Sequence, residues 1–179
     1  NPRFSTTRTR SDDSFKYETA LTLPIVALLT MPATVRMERQ RFEAVAKERP
    51  NKSAEAMAAT CVSEQGDCLR NLGRLDEAAA AYEESIRRSE QLGDGRGVAV
   101  DKGQLGTVRM EQRRYPEALA AHAEAHERFT RLGEPGMVAV SWHQTGRVYQ
   151  EAGQPEAAEE AYRKSLAIKV RLGNVAGQA

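Results

Sequence analysis

His122 and His126 stand four residues apart, with Glu124 and Glu127 beside them, and they are the first residues in this 179-residue sequence whose types and spacing suggest chemistry. On a helix that spacing puts both imidazoles on one face, where they could ligate a metal such as zinc. The register of the chain argues for packing instead. His122 falls forty residues from both Tyr82 and Tyr162, and His126 falls forty from Ile86 and Leu166. Both histidines therefore read as inward-facing side chains, and no metal is expected. Cys61 and Cys68 lie seven apart with no Cys or His partner at a zinc spacing. Cys68 aligns with Val108 and Val148 and reads as a small core residue. The sequence holds no glycine-rich phosphate loop, nucleophile elbow or paired-carboxylate motif. It reads as a non-enzyme without a cofactor.

The same forty-residue register organises the helices. Gly66, Gly106 and Gly146 recur at that interval. A glycine inside a helix costs about 1 kcal/mol relative to alanine, so each needs a packing reason. Trp142, Gly146 and Tyr149 share one side of a helix, while His143, Gln144 and Arg147 point the other way. Apolar periodicity predicts helices near 54–72 and 75–91, 95–113 and 115–131, and 135–152 and 155–171. Gly73 and Gly153 mark the turns within pairs, and Pro116 and Pro155 open second helices. Leu92-Gly93-Asp94, Leu132-Gly133-Glu134 and Leu172-Gly173-Asn174 close each pair. Ala78, Ala118 and Ala158 are the expected small residues opposite the glycines. Tyr82, His122 and Tyr162 are expected to fill the space between neighbouring hairpins.

Composition bounds the partners. Hydrophobic residues make up 40% and charged residues 28%, and 26 Lys and Arg balance 25 Asp and Glu to a net +1. Generic nucleic-acid binding is not favoured without a basic field. Two cysteines do not make a disulfide framework, so a reducing, cytoplasmic location is expected. Residues 1–33 read as a polar arm followed by an apolar run at 20–31. That run is about twelve residues long where a membrane span needs about twenty, so no membrane is expected. It is expected to cover an end of the helical stack, or to lie in its groove as an internal ligand. Residues 34–52 read as a degenerate repeat helix with Val35, Met37 or Phe42, Val45 and Ala46 on its apolar side. Residues 53–179 form the array, with repeats at 53–92, 93–132 and 133–172 and the start of a further one at 173–179. Because Asn174 to Ala179 align with Asp94 to Ala99, and the chain begins at Asn1, a fragment of a longer protein is expected.

These residues resemble the tetratricopeptide repeat family, whose pattern is Trp, Leu-Gly and Tyr on a first helix and Ala, aromatic, Ala on a second. The third repeat carries Trp142, Gly146, Tyr149, Ala158 and Tyr162. The second keeps Leu105, Gly106 and Ala118 but has Lys102 for the Trp, Arg109 for the Tyr and His122 for the aromatic. The first keeps Gly66, Ala78 and Tyr82. The forty-residue period is similar to the long variant in kinesin light chain and the Leu-Gly-Asn-type adaptors. The resemblance implies an all-α, right-handed superhelical solenoid of antiparallel helical hairpins, with first helices lining a concave groove. It places Thr60, Ser63, Glu64, Asp67, Arg70 and Asn71, then Val100, Gly103, Gln104, Thr107, Met110 and Glu111, then Val140, His143, Gln144, Arg147, Gln150 and Glu151 in that groove. In the long-period relatives an Asn before Leu-Gly bonds to the backbone of an extended peptide, and here that register holds Glu64, Gln104 and Gln144. The expected function is non-catalytic binding of a protein or peptide partner, with Arg70, Gln104, His143, Gln144 and Arg147 as polar contacts. The alternatives are self-association through exposed repeat ends, and a regulatory array inside a larger bacterial signalling ATPase or caspase-like protease.

Overall fold

Among the described residues every long helix stops at a left-handed residue, and those stops set the architecture. The structure, a computed structural model, describes residue 35, residues 37–45 and residues 52–173. Residues 37–45 form helix α1. It is followed by α2 (Lys52–Asn71), α3 (Leu75–Leu92), α4 (Gly95–Glu111), α5 (Tyr115–Arg131), α6 (Pro135–Glu151) and α7 (Pro155–Arg171). The bounds of α2 to α7 fall within two residues of those predicted from the sequence, and there is no strand among the described residues. From α2 on, each helix packs on the next, so α2–α3, α4–α5 and α6–α7 are hairpins and α3–α4 and α5–α6 stack them into a solenoid. The expectations for residues 1–33 and for 174–179 lie outside the described residues.

The stops share one hydrogen-bond pattern. At Gly73 the N–H of Arg74 reaches back to the Leu69 carbonyl (2.9 Å) and that of Gly73 to the Arg70 carbonyl (2.9 Å). The same pair of bonds closes helices at Gly93, Gly133 and Gly153, which satisfies carbonyls that a helix end would leave orphaned. These glycines have φ between 68° and 75°. In the second hairpin the position belongs to Arg113, held at φ 61° with the same two bonds at 2.8 Å. The period brings Arg113 into register with Gly73 and Gly153, yet an L-residue pays a steric penalty there.

Inside each hairpin a ring lies on a glycine. A Cβ placed on Gly66 would meet Tyr82 Cε1 at 2.9 Å, on Gly106 the His122 Cε1 at 2.9 Å, and on Gly146 the Tyr162 Cε1 at 2.6 Å. The glycines therefore make room for the rings of their own hairpins. Ala78, Ala118 and Ala158 are buried nearby but are not the groups against the glycines. The following hairpin covers the ring, leaving Tyr82 at 0% and His122 at 2% exposure. Tyr162 stays partly exposed, with no hairpin after it among the described residues. Around these rings, Leu69, Ile86, Val98, Leu105 and Val108 join the first hairpin to α4, and Met110, Ala118 and Val148 join the second to α6.

Helix α1 departs in part from its expected apolar side, of which Ala46 lies outside the described residues. Val35 is buried and Phe42 half-buried, but Met37 and Val45 are exposed. Two polar contacts tie α1 to the array. Arg39 Nη1 reaches Gln65 Oε1 at 3.4 Å, and Arg88 Nη2 donates to Glu43 Oε1 at 2.8 Å. Because Arg113 is exposed, Arg113→Gly removes backbone strain without losing packing. Chemical denaturation is expected to show a gain of about 1 kcal/mol, and Gly73→Arg a loss of about the same size.

Candidate functional site

The first helices α2, α4 and α6 carry the polar residues singled out by register, and the structure links those of α2 to those of α4, whereas Thr107 and Met110, expected in the groove, are buried. Ser63 Oγ on α2 donates to Asp101 Oδ1 on α4 at 2.6 Å. Gln104 Nε2 on α4 points back to Asp67 Oδ1 at 3.4 Å, and that same oxygen accepts the Tyr82 hydroxyl at 2.6 Å. Arg70 Nε lies 3.3 Å from Glu111 Oε1. A polar row thus runs along α2 and α4, rooted in the ring that packs on Gly66. Burial, followed by the Asp67 carboxylate, raises the Tyr82 phenol far above its ordinary pKa, so it acts as a hydrogen-bond donor.

On α6 the candidates divide. Gln144 Oε1 accepts from Arg147 Nη1 at 3.0 Å, and Arg147 is exposed. His143 sits apart from that pair, its ring 5.2 Å from the Tyr162 ring. Together with Leu166 and Lys169 it lines an open hollow of about 720 Å³. Burial, then the charges of Lys169 and Arg147, hold the His143 imidazole below its usual pKa. Arg70 and Gln104 therefore belong to one row, Gln144 and Arg147 to a second pair, and His143 to the open face of the third hairpin.

His122 and His126 play different parts. His126 meets Trp142 edge-on at 4.9 Å across the α5–α6 contact. Trp142, half-buried, also carries Lys164 Nζ 4.5 Å from its centroid. In the second hairpin the same register holds Lys102 and Glu124, which form a 2.8 Å ion pair. His122 is buried with its Nε2 unpartnered. Burial, with the Arg147 charge adding to it, lowers its pKa to about 4. Among the described residues no three of His, Cys, Asp and Glu come together to hold a metal ion. Burial raises the thiol pKa of Cys61 and Cys68, helped by nearby carboxylates, which is the reverse of an activated nucleophile. No described helix is long and apolar enough to cross a membrane.

The residue that register reasoning passed over is Asp101, a carboxylate only 3% exposed. Its equivalents are Cys61 and Ser141, so a charge at a small inward position was a signal available in the sequence.

Two tetratricopeptide repeat family models match, one over residues 99–169 and one over 63–92, together more than half of the chain. Among solved structures, the chain is similar to the TPR domain of Arabidopsis FLU at 19% identity and a TM-score of 0.59. The match covers 69% of this chain and 99% of that one. At that identity the likeness concerns the fold. BtubC (BKLC) from P. vanneervenii matches at 16% identity over 82% of this chain and 92% of that one, with a TM-score of 0.35, too low to bear on the fold. A search of curated proteins finds no match.

A histidine whose folded pKa lies near 4 instead of 6.5 binds its proton more readily when unfolded. Its neutral form therefore supports the fold fully above the unfolded value, and that support is lost as pH falls from 6.5 toward 4. Urea unfolding should show the native chain losing about 2 kcal/mol more between pH 7 and pH 5 than a His122→Tyr variant, which restores the ring found at Tyr82 and Tyr162.

Proposed function

The chain belongs to the tetratricopeptide repeat family, and on that premise we propose that it is a non-catalytic scaffold binding a peptide or partner helix along the polar side of α2, α4 and α6. Such repeats generally mediate protein–protein interaction. The observation that carries the finer reading is the division of labour on α6. Gly146 and Val148 are buried, whereas Gln144 and Arg147 turn away from that packing and bond to each other. Among the described residues Gln144 makes no other side-chain hydrogen bond. Its amide keeps donors free while its oxygen is held in place by Arg147, as recognition of an extended backbone requires.

The row on α2 and α4 extends the same surface. The Gln104–Asp67 contact at 3.4 Å and the Arg70–Glu111 pair at 3.3 Å are long, so an incoming peptide exchanges weak internal contacts for its own. A partner peptide selected from an array should bind Gln144→Ala/Arg147→Ala at least about tenfold more weakly in isothermal titration, the loss of one to two charged or amide hydrogen bonds. Unchanged affinity would place the binding surface elsewhere.

A further inference from the structure

Between the first and second hairpins lies a cavity of about 310 Å³, bordered by Thr60, Ser63, Ser85, Ser89, Asp94 and Asp101. Asp101 is buried there, and among the described residues no Lys, Arg or His pairs with it. Arg96 also borders the cavity, but its Nε donates to Glu134 Oε1 at 2.8 Å and its exposed side chain forms no ion pair with Asp101. An unpaired buried carboxylate is costly unless something neutralises it. Burial raises its pKa, and the charges of Asp67 and Asp94 add to that, while the hydroxyls of Ser63 and Ser85 oppose it.

Three of the four hydroxyls around the cavity have acceptors within the chain. Ser63 gives its proton to Asp101 at 2.6 Å and Thr60 to the Ala56 carbonyl at 3.1 Å, while the single Ser85 proton lies within reach of both the Ala59 carbonyl at 3.0 Å and the Asp101 carboxylate. Asp94 accepts from the Gly97 N–H at 2.9 Å. The oxygens therefore keep lone pairs, and the cavity presents acceptors. This is not a general feature of the stack. At the next interface the registers of Ser85, Ser89 and Asp101 hold Ala125, Phe129 and Ser141, and Phe129 packs with Ala99 and Ala125 into an apolar cluster. The chain leaves a polar opening where its own repeat pattern elsewhere puts an aromatic plug.

We propose that this cavity takes the ammonium group of a lysine side chain from a bound polypeptide, with Asp101 as its counter-ion. An ammonium carries three donors and no acceptor on a slender stem, which complements one carboxylate ringed by hydroxyl oxygens. The proposal rests on the reading of α2 and α4 as partner-binding helices, since Thr60 and Ser63 on α2 and Val100 on α4 border the opening.

The test is amide NMR on the full chain at mildly alkaline pH, titrated with Nα-acetyl-lysine methylamide, and with its neutral Nε-acetyl form as control. The lysine probe should give saturable shifts at the amides of Ser63, Ser85 and Asp101. Its affinity should fall at least about tenfold in Asp101→Asn, and by a similar factor in Ser89→Phe, which copies the plug at Phe129. Melting curves of both variants establish that they fold. No saturable shift at those amides, equal response to the neutral probe, or undiminished binding by folded Asp101→Asn overturns the proposal. The probe reads the cavity without any groove peptide. Its failure therefore leaves the Gln144–Arg147 surface untouched, and failure of that surface is read separately, in the peptide titration.

Discussion

A ring laid on a glycine sets the distance between the two helices of each of the three described hairpins. Tyr82 on Gly66, His122 on Gly106 and Tyr162 on Gly146 are one contact repeated three times, and each hairpin buries its ring only when the next one stacks over it. Because interiors pack without slack, the spacing of the helices is fixed from within, and the polar side chains on the far side of α2, α4 and α6 inherit that spacing. The two sides are also joined directly. The Tyr82 hydroxyl that crosses from the packed face ends on Asp67, which Gln104 also approaches. The second hairpin lacks that bridge, since Thr107 stands at the register of Asp67 and the His122 Nε2 has no partner.

Around that constant contact the ties between helices vary. Ser85 donates to the Ala59 carbonyl and Ser165 to the Ala139 carbonyl, the same bond two repeats apart, while Ala125 cannot make it. Lys102 with Glu124 and Trp142 with Lys164 occupy one pair of positions with an ion pair in one hairpin and a cation–π contact in the next. Each is worth on the order of 1 kcal/mol or less where it is exposed, so these positions are free to differ without disturbing the stack. The cavity at Asp101 belongs to the same freedom: a seam between hairpins holds together with serines and a carboxylate where the next uses phenylalanine.

Much of this was legible in the sequence, for physical reasons. Glycine and proline punctuate the forty-residue register so regularly that the helix ends could be placed closely, and the family membership followed from the same residues. What periodicity could not supply was the identity of partners. It placed Gly66 and Tyr82 inside but set alanines against the glycines. It marked Gly73 and Gly153 as turns but passed over Arg113, because only backbone geometry reveals a left-handed arginine. It put Met37 or Phe42, with Val45, on an apolar face; Phe42 is half-buried, but Met37 and Val45 are exposed, and Arg39 and Glu43 reach the array. It grouped His143 with Gln144 and Arg147, and a register alone could not show that His143 leans on Tyr162. Asp101 was missed because a lone carboxylate matches no motif. Only comparison with Cys61 and Ser141 shows it to be out of place.

The ring-on-glycine contact is tested most directly by a double-mutant cycle of Gly66→Ala, Tyr82→Leu and the pair, with unfolding free energies from urea denaturation. The Tyr82–Asp67 hydrogen bond is lost in both Tyr82→Leu backgrounds and cancels from the cycle, leaving the crowding between ring and Cβ. With the ring gone the added methyl should be tolerated, so the pair should be less destabilised than the sum of the singles by at least about 1 kcal/mol. Additive effects would contradict a hairpin spacing set by that contact.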